Sequence, residues 1–248
     1  AGFSYVPAYG NSDYSLRTHA MAFDGSTTHD LGTLTTDYTF ENNGYSVAYD
    51  VNDNGIVVGS AAAGKDSDND WFYQPFVDDL NDSSSMNALQ TDLDREGEWN
   101  AVSINDNGLI GGHVKICNTE KYCYYWTDSS SDPTPLDLPE GFSYSEIYSI
   151  SENGAMVGVM WETVDDMHAF YADSLMNVYD LNTLLIDPAR EWDLQFARDI
   201  NELGQIVGFG LHEGQKRGYL LTVTPEPLSC ILFPIGIFTF GLFRKKIM

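Results

Sequence analysis

Asp66, Asp68 and Asp70 in the run KDSDNDW alternate as the first three ligands of a calcium loop do. The remainder of an EF-hand is missing. Trp71 stands where the loop glycine belongs, and Val77 where the bidentate Glu belongs. The trio is therefore either a weak calcium site or a solvated acidic loop; Asp92, Asp94 and Glu96 repeat the pattern more faintly. Cys117 and Cys123 flank Asn-Thr-Glu-Lys-Tyr. On a hairpin the two would face each other at a span a disulfide bridges, and an oxidising compartment would favour the bond. Two thiols without a second pair or a nearby histidine leave a zinc ion under-coordinated. The five histidines, His19, His29, His113, His168 and His212, are scattered along the chain. No Gly-x-Ser-x-Gly elbow, phosphate loop or His-Glu-x-x-His occurs. Calcium is thus the one cofactor candidate, and no catalytic residues are expected.

The elements that must position these residues repeat. The segments VNDNGIVVG (Val51–Gly59), INDNGLIGG (Ile104–Gly112), ISENGAMVG (Ile150–Gly158) and INELGQIVG (Ile200–Gly208) lie 53, 46 and 50 residues apart. Self-similarity at such a period marks a repeat architecture. Each copy is a predicted β-hairpin with a turn glycine, Gly55, Gly108, Gly154 or Gly204. In the fourth copy Leu203 replaces the asparagine before the glycine. A two-residue type I′ turn would force that leucine to positive φ. A type I turn with a G1 bulge, in which the glycine alone is left-handed, suits all four copies. The second residue after the glycine is always apolar (Val57, Ile110, Met156, Ile206) and should face the core.

Two further elements recur in order. One is His168-Ala169-Phe170, with His19-Ala20-Met21, Gln74-Pro75-Phe76, Tyr122-Cys123-Tyr124 and Arg217-Gly218-Tyr219 as variants. The other joins an aspartate to leucine, as in Asp30-Leu31, Asp92-Leu93, Asp137-Leu138 and Asp180-Leu181. His19 and His168 hold equivalent places, which points to a packing or hydrogen-bonding role in each unit. One period holds about four short strands, and the best helix candidate, Leu181 to Arg190, is short. These elements, over residues 15 to 223, resemble the bacterial extracellular repeats named for their His-Ala-Phe tripeptide. The resemblance implies an all-β fold of four-stranded units arranged as a β-propeller of four or five blades, and it implies no settled activity. Ring closure would pair the strands at the two ends, Phe3 to Tyr9 and Tyr219 to Val223, in one sheet; an open sandwich or solenoid is the alternative. The 5 Trp, 15 Tyr and 13 Phe suit sheet-on-sheet packing.

The chain carries 37 acidic and 12 basic residues, a net charge of −25. Such a chain does not bind nucleic acid or an anionic membrane by charge. Three of the basic residues, Arg244, Lys245 and Lys246, follow the uncharged run Leu228 to Phe243. As a helix that run spans about 24 Å, short of a bilayer core of about 30 Å. Pro234, Gly236 and Gly241 weaken it further. The basic cluster would stay cytoplasmic and leave the body of the chain outside. The order Pro225-Glu226-Pro227, short apolar run, basic end resembles the PEP-CTERM sorting signal of Gram-negative bacteria, with Thr224 where that family often has Val. The resemblance implies a short transmembrane helix, export with Ala1 as a mature start, and inner-membrane anchoring. It further implies cutting near Pro227 by the protease exosortase and delivery to the cell surface or matrix.

Residues 1–223 are thus expected to form the repeat domain and 224–248 the sorting signal. The reading they support is a non-enzymatic structural or binding protein of the envelope or exopolysaccharide matrix. Exposed aromatics such as Trp71, Trp99 and Trp161 would offer glycan contacts. A secreted polysaccharide hydrolase and a self-associating extracellular protein are the alternatives.

Overall fold

The computed structural model describes residues 2–7, 16–34, 45–65, 71–82, 86–92, 96–186, 191–223 and 243–245. Five antiparallel sheets follow one another along the chain. The first has three strands, β1 (Gly2–Pro7), β2 (Leu16–Phe23) and β3 (Thr28–Asp30). The second holds β4 (Ser46–Val51), β5 (Ile56–Lys65), β6 (Trp71–Asp79) and β7 (Asn87–Ala88). The third holds β8 (Glu98–Ile104), β9 (Ile110–Lys115), β10 (Lys121–Trp126) and β11 (Thr134–Pro135). The fourth holds β12 (Tyr144–Ile150), β13 (Met156–Trp161), β14 (Met167–Ala172) and β15 (Val178–Asp180). The fifth holds β16 (Trp192–Ile200), β17 (Ile206–His212), β18 (Gln215–Val223) and β19 (Phe243–Lys245). Of the candidate helix, Leu181–Leu184 forms a 3-10 turn with Asp180 as its cap.

Each predicted hairpin joins the first two strands of a four-stranded sheet, and its turn has the expected chemistry. Gly55 N donates to Asn52 O at 3.0 Å, and Asn52 N donates to Ile56 O at 3.0 Å. The same pair of bonds recurs around Gly108, Gly154 and Gly204. The four glycines have φ of 80°, 84°, 84° and 71°, whereas Leu203 stays out of the left-handed region. Two residues after each glycine, Val57, Ile110, Met156 and Ile206 are buried at 0, 1, 0 and 0% exposure.

Two residues beyond these lies a second invariant glycine with a different cause. The first strand of every four-stranded sheet bulges at one repeat position, between Ala48 and Asp50, Ala101 and Ser103, Ile147 and Ser149, and Ala197 and Asp199. A Cβ on Gly59, Gly112, Gly158 or Gly208 would lie 2.0–2.1 Å from the carbonyl oxygen of Val47, Asn100, Glu146 or Phe196. No side chain fits that approach.

The core lies between sheets. Four apolar clusters fill the four boundaries, with Val57 and Phe76 against Ala20 and Ala22, and Val58 against Trp99 and Ala101. Ile147 packs with Met156 and Phe170, and Val157 with Leu194 and Ile200. Burying one such side chain contributes about 1.5–3 kcal/mol. Polar ladders join successive sheets as well. Asn52 Nδ2 donates to Asn105 O (3.0 Å) and Asn105 Nδ2 to Ser151 O (3.2 Å). Asp53 N donates to Asp106 Oδ1, and Asp106 N to Glu152 Oε2. Ser103 Oγ donates to Asp50 Oδ2 and accepts from Ile150 N, while Ser149 Oγ donates to Asp199 Oδ1. The turn ladder stops at the third hairpin, where Ser151 Oγ bonds Asn153 Oδ1 of its own turn, and Asn201 Nδ2 of the fourth likewise donates to Gln205 Oε1 of its own turn.

Two expectations are corrected. The terminal strands do not share a sheet: β1 pairs with β2, and β18 pairs with β17 and β19. Cys117 and Cys123 are free thiols. The hairpin register sets Cys123 opposite His113 and Cys117 opposite Glu120, so the two thiols do not face each other. The basic end of the tail contributes an edge strand, with Phe243 to Lys245 pairing along β18. The remainder of the tail lies outside the described residues, including Pro225, Glu226, Pro227, the apolar run to Leu242, and Lys246. Among the described residues no helix is long and apolar enough to cross a membrane.

Candidate functional site

The bulges decide what the first strands present. A bulge leaves one residue unpaired and re-aims its side chain. The four residues so placed are Tyr49, Val102, Tyr148 and Arg198. Tyr49 lies beside Tyr45, Ser60, Tyr73, Glu98 and Asn100, which together line a cleft of about 240 Å³ between the second and third sheets. The Tyr45 and Tyr73 rings meet edge to face with centroids 5.5 Å apart. Tyr49 Oη donates to Asn100 Oδ1 at 3.4 Å. The Tyr49 hydroxyl is pushed above its ordinary pKa by burial first, then by Tyr45, Glu98 and Glu146. Tyr73 is raised by burial, then by Tyr45 and Glu98. Both phenols therefore stay protonated at neutral pH and serve as donors. Glu98 is ion-paired with Lys115 at 3.0 Å.

A second polar group adjoins the cleft at the boundary of the third and fourth sheets. Glu146 accepts from Lys121 Nζ at 2.7 Å and from Tyr148 Oη at 3.2 Å. His113 Nε2 lies 3.9 Å from Glu146 Oε1. The imidazole is buried, and its Nδ1 has no hydrogen-bond partner. Burial lowers its pKa from 6.5 to about 4, against the opposing pull of Glu146. It is neutral at pH 7. The Arg198 guanidinium sits 4.1 Å over the Tyr148 ring, a cation–π contact carried from the fifth sheet to the fourth. Glu146, Lys121, Tyr148 and Arg198 are thus engaged with one another, while His113 Nδ1 has no partner.

A larger recess of about 470 Å³ lies between the outer strands of the third and fourth sheets, walled by Tyr125, Pro135, Leu138, Met176 and Val178. Its lining holds one carboxyl group, Asp137, and one phenol, Tyr125.

The histidines at equivalent repeat positions do what their placement suggested. His19 Nδ1 bonds Asp30 Oδ1 at 2.8 Å, and His168 Nδ1 bonds Asp180 Oδ2 at 2.7 Å. Each aspartate also accepts a backbone N–H two residues on, from Gly32 or Asn182. The His-Ala-Phe and Asp-Leu elements thus form one device, which ties the third strand to the turn after the fourth. The aromatic expectation is corrected for two of its three residues: Trp99 and Trp161 are each 3% exposed and belong to the core, while the Trp71 side chain lies outside what the structure describes. Asp66, Asp68 and Asp70 lie outside the described residues. Among the described residues no group of three or more His, Cys, Asp and Glu side chains is arranged to hold a metal. Tyr45, Tyr49, Tyr73 and Asn100 were not singled out from the sequence, because tyrosines spaced through an apolar strand carry no sign of the bulge that turns one outward.

A family model described as "Protein of unknown function (DUF3466)" matches residues 1–122, which run from the first sheet into β10. No curated protein matches the chain.

Proposed function

We propose that this chain is a non-enzymatic binding module of the bacterial envelope or exopolysaccharide matrix, exported and then released or surface-attached through its tail. The five sheets act as blades of a propeller-type array, and the cleft on their first strands takes a saccharide unit. The observation that carries this reading is the cleft itself. A sugar ring offers C–H faces that stack on aromatic rings, and hydroxyls that pair with an amide and a carboxylate. Three tyrosines, Asn100 and Glu98 supply both kinds of contact on a wall held by sheet pairing. The order of tail elements supports the sorting step, with exosortase as processing partner and cleavage near Pro227.

The test is binding of neutral and acidic polysaccharide fragments to the full chain, compared with Tyr49→Ala and Asn100→Ala. Loss of binding in both variants with unchanged melting supports the reading. Binding that neither variant alters would sink it, as would glycan turnover, which favours a hydrolase. The C-terminal mass of protein recovered from cells tests the sorting step separately.

A further inference from the structure

The array of sheets uses a single mode of packing four times, and both of its ends leave that mode unfinished. The back of each sheet receives the front of the next. On the back, Val58 and Val157 are 0% exposed, and the third sheet places Gly111 at the same position, where an added Cβ would meet Ile150 Cδ1 at 2.9 Å. Two residues on, Ser60, His113 and Val159 are 3, 6 and 1% exposed. On the fifth sheet the equivalent residues are Val207 and Phe209, and Val207 is 43% exposed. Phe209 stacks on Phe196 with centroids 4.5 Å apart, and Lys216 Nζ lies 4.0 Å over its ring. The Arg198 guanidinium lies 5.4 Å from the same ring, so that face is apolar with two cations laid over it in place of a sheet.

The front tells the same story at the other end. Phe76, Tyr124, Phe170 and Tyr219 are buried against the preceding sheet at 0, 2, 0 and 6% exposure. Two residues on, Asp78, Trp126, Ala172 and Leu221 are buried at 7, 0, 0 and 1%. The strand register makes Met21 and Phe23 of the first sheet their equivalents, since Met21 pairs with Gly2 as Phe170 pairs with Gly158. Met21 is half-buried and Phe23 is 63% exposed.

We propose that the back of the fifth sheet binds the front of the first sheet of a second copy of this chain, so that copies associate head to tail. The interface would continue the packing already present between sheets, with Phe23 and Met21 of one copy on Val207 and Phe209 of the other. Such a contact is heterologous, so it builds a closed ring or an open filament rather than a two-fold dimer. Copies that carry −25 each repel one another, so association strengthens with added salt. This inference rests on sheet packing alone and stands whether or not the cleft binds sugar.

The test is sedimentation of the full chain in mild detergent over a hundredfold range of concentration, for the wild type, Phe23→Glu and Val207→Glu. Both positions are solvent-exposed, and circular dichroism with melting confirms that the variants fold; Phe23→Ser serves if the glutamate disturbs the sheet. The wild type should associate, more so at high salt. Each variant alone should be monomeric at least tenfold beyond the wild-type midpoint. An equimolar mixture of the two should form 1:1 dimers and nothing larger, because only one pair of faces stays intact. A wild type that is monomeric throughout overturns the proposal. So does association that both variants leave untouched, which is the behaviour expected if the apolar tail drives it.

Discussion

Replacing His113 with leucine should make the protein more resistant to acid. The imidazole is buried, Nδ1 has no partner, and burial lowers its pKa from 6.5 to about 4. In the unfolded chain the group takes up a proton below pH 6.5, while the folded chain resists until about pH 4. Between those values the unfolded state binds more protons, so stability falls as pH falls, by up to about 1.4 kcal/mol per pH unit. The accumulated penalty by pH 4 is about 3 kcal/mol. Leucine has a similar volume and cannot titrate, and Glu146 keeps Lys121 and Tyr148 as partners. Urea unfolding of both proteins at pH 7, 6, 5 and 4 gives the assay. The difference in unfolding free energy should be small at pH 7 and grow in favour of His113→Leu toward pH 4. Parallel pH dependences for the two proteins would refute the claim that a buried neutral imidazole underlies the acid lability.

His168 should act in the opposite direction. Burial lowers its pKa, but hydrogen bonds and charge from Asp180 and Asp166 outweigh it and leave a net rise. Its stabilising contribution is present below pH 6.5 and is lost as pH rises through the folded-state value, so His168→Gln should cost more at pH 5.5 than at pH 9. Two glycine-to-alanine changes should separate two causes of repetition. Gly108→Ala meets no atom within 4 Å and should cost about 1–2 kcal/mol for its left-handed backbone alone, whereas Gly112→Ala drives a methyl into Asn100 O and should cost about 3 kcal/mol or more; thermal melts distinguish them. Asn105→Ala removes the donor to Ser151 O and the acceptor for two turn N–H groups, so it should destabilise by about 1–3 kcal/mol more than Asn201→Ala, which leaves no neighbouring sheet unpaired. Native alkylation should modify Cys117 and spare Cys123, which reacts only after unfolding; a native protein inert at both residues until reduced would restore the disulfide.

The sequence by itself determined the local units. Four hairpins, their turn type, their core-facing residue and the role of His19 and His168 follow from short-range chemistry. A turn needs a residue tolerant of positive φ, and an alternating strand shows its buried face. The second glycine of each signature was visible in the sequence, yet its reason was not, because the carbonyl it accommodates belongs to the neighbouring strand and is displaced by a bulge. The Cys117–Cys123 pairing failed for a related cause. A one-residue choice of register sets which side chains face each other, and only strand pairing makes that choice. Trp99 and Trp161 likewise looked available for ligand until successive sheets closed over them. Tertiary structure alone decided that the first strands bulge in step, that Tyr49 and Asn100 meet across two sheets, and that Phe23 and Val207 are left open. Each of these depends on the stacking of one sheet on the next, at separations of about 50 residues that no local pattern encodes.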